Sequence, residues 1–363
     1  MKKVGISGIG MCLPIRRILV NETIKNWGNT SAKLIVDKFG VRKRTVLNSD
    51  EDVITLSVEA AKQCLVNTKT NIKNIDAMFL GTVTSSELYR GSSNTVMEML
   101  TDNNQYFSTD VAMAERSGTV ALIQGFANVK AGLCKSVLSI GADALCRYTA
   151  PGDLRESYTG AGAACALVDS NNIVAEIEGV TNFNTNFPEI GRPEDERFIR
   201  ELMPMDSGVQ KISIIDHVKT AVQLYLNKYN CALSDFDFVL LPQQYPGQTF
   251  QLAKIFGIPN EKIEDAIFSS ETGDTGSAAP LIALEKVLES AQPNKRILLC
   301  SYGHNAGVDV IGLKTTNLIK DYQKRVKQTV TKILNNQFDV GYAEAMRLEY
   351  KFVEPNVSIG TFN

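Results

Sequence analysis

The sequence predicts an α/β fold, a parallel or mixed sheet covered by helices. Two observations predict it. Short apolar, β-rich runs alternate with longer helical patterns through most of the chain. The same order of runs then recurs in the second part, as in an internal duplication.

The elements follow in order. MKKVGISGIGMCLP opens basic and then apolar, which raises a signal peptide as an alternative. Its apolar run is short, Gly-rich and interrupted by Pro14 and Arg16-Arg17, so a buried first strand is the better reading. Residues 76–81 (DAMFLG) read as a buried strand ending in a loop at Thr82–Ser86, and Ser92–Leu100 as a helix. Residues 136–141 give a second buried strand and Ala163–Val168 a third. Phe236–Leu241 then mirrors the first of these strands and Lys295–Gly303 the second. The Asn-rich, Pro-containing stretch Thr181–Pro193 marks the junction. The expected division is residues 1–175 and 176–316 as two halves, with 317–363 as an extension of the second. That extension reads as a Lys-rich helical stretch after Asn317 through Leu334, with a solvated face as the default for its Lys320–Lys332 segment, and an edge strand over Met346–Phe352.

Composition excludes several classes. Among 363 residues there are 38 basic and 40 acidic side chains, so no nucleic-acid partner and no acidic membrane surface is indicated. No run approaches the roughly 18 apolar residues that cross a bilayer. The seven cysteines form no CxxC pair, and most lie in apolar runs such as Cys165 and Cys300, where free cysteine packs as a small hydrophobe. That pattern predicts a reducing, cytoplasmic setting. With only His217 and His304, a His-based metal centre is not expected.

Three glycine-marked loops stand where chemistry is expected. Asp110–Thr119 reads as a strand, a tight turn and the start of an apolar helix, a geometry that presents a side chain and helix N–H groups at a pocket. Leu240–Pro246 closes a strand, and Thr272–Pro280 leads into another helix.

In this order and spacing the loops resemble the thiolase superfamily, in the branch of β-ketoacyl synthase III and hydroxymethylglutaryl-CoA synthase. Ser301-Tyr302-Gly303-His304-Asn305-Ala306-Gly307 resembles that family's closing glycine-rich loop. The resemblance implies a thiolase-like α-β-α-β-α layered fold of two pseudo-repeated halves and a homodimer. In the family, the first loop presents a nucleophilic cysteine, the second a histidine, and the third an asparagine or histidine. Here the matching residues are Glu115, Gln243 and Asp274. A carboxylate is a poor nucleophile toward a thioester, and no base stands in the second loop. Over nearly its whole length, including Asp50–Leu56, Thr149–Leu154 and Glu156–Tyr158, the chain also resembles the synthase-III-like subunit of monoacetylphloroglucinol acetyltransferases.

That second resemblance implies a subunit of a C-acyltransferase without its own nucleophile, acting in secondary metabolism on an electron-rich aromatic ring. Its role would be assembly and ligand positioning, beside a thiolase-like subunit bearing the cysteine and a small OB-fold subunit. No cofactor is implied beyond an acyl donor, an acyl-CoA or an acylated aromatic. The competing expectation is a self-sufficient, Cys-free acyltransferase or decarboxylase using Glu115.

Each site residue carries two readings. Glu115 is a base or decarboxylation aid, or a remnant paired with Arg116 or a partner's cation. Gln243 and Asp274 either hold a ligand carbonyl or satisfy loop backbone groups. His304 is a latent acid–base group with an ordinary pKa of about 6.5, whereas His217 is a surface or capping residue. Glu87 falls near the acid–base glutamate of the hydroxymethylglutaryl-CoA synthase branch, or is an exposed loop residue. Ser117 and Gly118 belong to the presenting turn. Asp153, Arg155 and Glu156 lie where relatives form a loop over the dimer partner or the substrate entrance.

Overall fold

The computed structural model describes residues 2–28, 32–203, 207–304 and 307–352. Nine strands form its main sheet: β1 (Gly5–Cys12), β2 (Ala77–Gly81), β3 (Phe107–Val111), β4 (Ser136–Ala144), β5 (Ala161–Asp169), β6 (Ala175–Phe183), β7 (Phe238–Leu240), β8 (Arg296–Gly303) and β9 (Gly307–Thr315). Their spatial order is β7-β8-β9-β6-β1-β5-β4-β2-β3. Parallel neighbours β2–β3, β2–β4 and β7–β8 sit toward the two ends, with antiparallel pairs between them.

The order contains two smaller sheets meeting at a narrow seam. β1 joins β6 only through the pairs Gly5↔Glu176 and Ile6↔Ala175. Alternate residues of each strand face opposite ways, and both faces are covered. From β2, Ala77 and Phe79 enter one apolar cluster and Met78 and Leu80 another. From β8, Ile297 and Leu299 share the first cluster, and Leu298 and Cys300 enter a third. Helices cover these faces: α1 (Val53–Thr68) and α2 (Ser92–Leu100) on the second cluster, α3 (Ser117–Ala131) and α6 (Ala279–Leu288) in the shared one, and α4 (Asp216–Tyr229) and α5 (Pro246–Phe256) on the third. This burial on both faces is why the strands read as continuous apolar runs.

Local chemistry starts and stops the helices. α1 begins in a capping box: Asp52 accepts from the Thr55 N–H at 2.9 Å, and Thr55 Oγ1 accepts from the Asp52 N–H at 2.8 Å. α3 and α6 meet where Gly118 lies under the Ser277 carbonyl. A Cβ built on Gly118 would stand 2.1 Å from that oxygen, so only glycine permits this approach. Asp143 ties the same region together, accepting from Thr84 Oγ1 and from the Ser277 N–H, both at 2.7 Å.

The tail departs from expectation. Met346–Phe352 does not form an edge strand; Tyr342–Leu348 is a helix whose Ala345, Met346 and Leu348 pack on Ile18 and Val46. The alternating polarity of the segment imitates a strand, but burial does not follow it: Tyr350 and Phe352 are exposed, while Glu349 and Lys351 are buried in a charge cluster. The only strand of the tail among the described residues is Phe338–Asp339, paired parallel to Arg16–Leu19. Lys320–Lys332 is helical in two pieces, Ile319–Arg325 and Val330–Asn335, with extended backbone at Val326 between them. Thr181–Pro193 begins inside β6 rather than after it.

Candidate active site

Three segments bring the site together. β3 ends at Val111, the chain turns sharply through Ala114, and α3 begins at Ser117. Ala114 adopts φ +52°, a left-handed conformation that costs a non-glycine residue roughly 1–2 kcal/mol. Ser117 holds the turn in place: its hydroxyl donates to the Ala114 carbonyl at 2.6 Å and accepts from the Met113 N–H at 2.7 Å. The turn thrusts Glu115 out at the head of the helix, where the helix dipole favours a negative charge. From the other half, β8 delivers His304 just beyond its end at Gly303.

Glu115 and His304 meet through both carboxylate oxygens. The His304 backbone N–H donates to Oε2 and ring Nδ1 donates to Oε1, each at 3.0 Å. Burial pushes the Glu115 carboxyl up, but the charge and hydrogen bonds of His304 outweigh it and hold the group below the usual carboxylate range. Burial pulls the His304 ring down; the Glu115 carboxylate more than offsets this and raises it to about 9. At neutral pH the pair is therefore an imidazolium and a carboxylate. The Gln244 amide lies 3.0 Å from His304 Nε2, with its nitrogen toward the ring because its oxygen accepts from Gln248 at 2.9 Å. That orientation suits a neutral Nε2. The imidazolium needs the near-isosteric amide turned over, and two direct bonds to a carboxylate decide the charge state.

The other expected residues divide. Gln243 serves the backbone, as one of its two readings had it. Its Oε1 accepts from the Phe268 and Ser269 N–H groups at 2.7 and 3.0 Å, and its Nε2 donates to the Ala266 carbonyl at 3.1 Å. Asp274 accepts from the Gly276 N–H at 2.8 Å and, with Glu115, lines a cavity of about 30 Å³. Burial first, and the Glu115 charge second, push its carboxyl up to about 7. Glu87 stands apart, half exposed and held in its own turn by Arg90 at 3.1 Å and the Tyr89 N–H. Arg116 does not pair with Glu115; it pairs with Asp309 at 2.5 Å and reaches Asn184. His217 is no surface residue either, being buried and bonded to Thr185 and the Ser213 carbonyl. Of the closing loop, Asn305 and Ala306 lie outside the described residues. Glu156 is buried in an ion cluster rather than set at an entrance.

A cavity of about 510 Å³ opens onto the Glu115–His304 pair, lined also by Val83, Asn184, Thr185, Ile190, Arg192 and Ile199. Gln244 and Arg192 were not singled out in the sequence. Gln244 adjoins Gln243 in the strand-end loop, and that adjacency was the only available signal for it. No cysteine stands among the described residues that line this cavity. Cys300 lines the smaller one, but burial pushes its thiol up to about 12, so it stays protonated and non-nucleophilic. The arrangement can move protons and stabilise a developing oxyanion.

The Asp274 shift yields a testable consequence. A carboxyl raised from 3.8 to about 7 on folding binds its proton more tightly in the folded state. Its contribution to stability is whole below pH 3.8 and is lost as pH rises through about 7. Asp274→Asn keeps the acceptor for Gly276 and escapes that loss. Thermal unfolding should show the variant more stable by roughly 2–4 kcal/mol at pH 8 and equal to wild type near pH 3.8. Equal stability at both pH values would contradict the shift.

No family model matches the chain. Over 328 residues it is 31% identical to the hydroxymethylglutaryl-CoA synthase of Archaeoglobus fulgidus, spanning 89% of this chain and 92% of that protein. It is 28% identical to the hydroxymethylglutaryl-CoA synthase of Pyrobaculum aerophilum over 96% of this chain and 98% of that protein. Among solved structures, a hydroxymethylglutaryl-CoA synthase complexed with CoA superposes with a TM-score of 0.84 at 17% identity, covering 97% of this chain and 92% of that one. The 3-oxoacyl-[acyl-carrier-protein] synthase III of Aquifex aeolicus superposes with a TM-score of 0.77 at 20% identity, over 86% and 99%. The layered thiolase-like fold stands. The expectation of a nucleophile-free subunit in an aromatic C-acetyltransferase does not: relatives spanning almost the whole chain are synthases of hydroxymethylglutaryl-CoA. That expectation rested on the missing cysteine together with the resemblance to the acetyltransferase subunit; the absence of the thiol removes covalent catalysis without removing acid–base chemistry.

Proposed function

The chain belongs to the hydroxymethylglutaryl-CoA synthase family, and we propose that it performs carbon–carbon chemistry on an acyl thioester by itself, with no acyl-enzyme intermediate. The observation that carries this reading is the engagement of both Glu115 oxygens by His304 at the wall of an open cavity.

The steps follow from the charge states. Glu115 takes a proton from the carbon next to the thioester carbonyl, and the C–H electrons pass into that carbonyl as an enolate. A carboxylate held below its usual range is a weak base, so the acidity must come from the other partner. The buried His304 imidazolium supplies it by hydrogen-bonding the developing oxyanion in a site of low dielectric. The enolate carbon then adds to a ketone carbonyl, forming the new carbon–carbon bond and an alkoxide. That alkoxide takes the Nε2 proton of His304, displacing the Gln244 amide that otherwise faces Nε2 at 3.0 Å, because Nδ1 is committed to Glu115. Solvent at the cavity removes the proton from Glu115 and returns one to His304. The thioester survives throughout, so neither water nor a thiol enters the balance, and the same groups serve the reverse cleavage.

The test is deuterium exchange at the methyl group of acetyl-CoA in D2O, followed by condensation with acetoacetyl-CoA and intact-mass analysis of the protein. Exchange should proceed without an acyl adduct and should fall tenfold per pH unit above about pH 9, as His304 loses its proton. An acylated protein, or no exchange at any pH, would sink the proposal.

A further inference from the structure

We propose that Arg192 is a specificity residue that selects acyl thioesters carrying a carboxylate at the end of the acyl chain remote from the thioester. This rests on reading the Glu115 cavity as the acyl site.

The argument begins with the charges around the cavity. Among its described lining residues only Glu115, His304 and Arg192 are ionisable. Glu115 and His304 offset each other, so the lining keeps one net positive charge. No described carboxylate makes an ion pair with Arg192; Arg197 likewise bonds only a carbonyl, that of Glu349, whereas Arg116, Arg155 and Arg200 all have carboxylate partners. The Arg192 guanidinium is nonetheless held in place. It lies 5.1 Å from the centre of the Tyr148 ring, and one Nη donates to the Glu196 carbonyl at 3.4 Å. It follows directly on Ile190–Gly191, which pairs with Arg200–Glu201 as a small antiparallel ribbon and contributes both residues to the cavity wall.

A guanidinium has five N–H donors in a planar fork that matches an oxyacid, and most of those of Arg192 are uncommitted. A neutral acyl tail would offer no acceptor to the donors left over after the Glu196 carbonyl. A terminal carboxylate would fill it with two parallel hydrogen bonds. The phosphates of CoA present similar chemistry. They are a pantetheine arm away from the thioester, however, whereas Arg192 shares the acyl cavity with Glu115.

Calorimetric binding separates the possibilities without relying on turnover. Glutaryl-CoA and valeryl-CoA have the same chain length and differ in carboxylate against methyl. Wild type should bind glutaryl-CoA about 10–100-fold more tightly. Arg192→Gln should lose that preference while its affinity for valeryl-CoA stays within about twofold, and Arg192→Lys should retain part of the preference. Equal affinity of wild type for the two thioesters, or failure to bind either, would overturn the assignment. So would an Arg192→Gln loss of equal size for free CoA, which would place the contact on a phosphate. Selective binding without deuterium exchange would keep Arg192 as the selector and sink only the acid–base reading.

Discussion

Glu115→Gln should lower α-proton exchange by about 10²–10⁴-fold and move the His304 titration from about 9 to below its ordinary value. Both effects come from one carboxylate. Burial alone depresses an imidazole pKa, and the Glu115 charge is the largest influence raising that of His304. Glutamine is close in shape and still accepts from the His304 N–H groups, but it carries no charge and takes no proton. The ring then becomes neutral at pH 7, and base and oxyanion stabiliser disappear together. Proton NMR of the imidazole gives the titration and exchange kinetics give the rate. A histidine still charged at pH 8 in the variant would show that another group holds its proton.

Glu349→Ala should cost about 3–5 kcal/mol of stability, the largest loss expected from a single residue away from the site. Glu349 is fully buried between two cations, Arg44 at 2.5 Å and Lys351 at 2.9 Å, and Lys351 also faces Glu156 at 3.7 Å. Truncation leaves two buried positive charges opposite one remaining carboxylate, where desolvation is costly. Surface pairs such as Lys3–Glu176 contribute under about 1 kcal/mol by comparison. The pH dependence has a definite sign. Burial raises the Glu349 carboxyl, but Arg44 and Lys351 prevail and hold it below 4.5. Its contribution is present above pH 4.5 and fades as pH falls through the lower folded value. Urea unfolding of the variant should show a lower midpoint and a shallower acid limb. A loss under about 1 kcal/mol would mean that the cluster does not depend on this carboxylate.

The sequence revealed the strands because they are buried on both faces. Runs such as residues 77–81 are apolar without interruption, and Ser92–Leu100 is helical over the expected residues. It misled at Met346–Phe352, where polarity alternates but the end of a seven-residue helix and two buried charged residues do not follow it. It presented Glu115 correctly, because a strand, tight turn and apolar helix are local features. It could not pair Glu115 with His304, 189 residues away, since only the crossing of β8 toward α3 brings them together. Matching loops to the family pattern put Gln243 at the family's histidine position, where loop backbone absorbs every polar atom of the amide. Chemistry argued from a missing thiol could not distinguish a silent partner from an enzyme working without a covalent intermediate.

The 30 Å³ hollow behind Glu115 sets a ruler for the guest. It has room for about one water molecule, and its walls include Pro242, Ala279, Pro280 and Leu299, which belong to a loop end, a helix start and a sheet strand that pack as rigid elements. An acyl tail cannot thread past the carboxylate in that direction. A longer acyl tail has to lie on the other side of Glu115, in the 510 Å³ cavity that Arg192 lines.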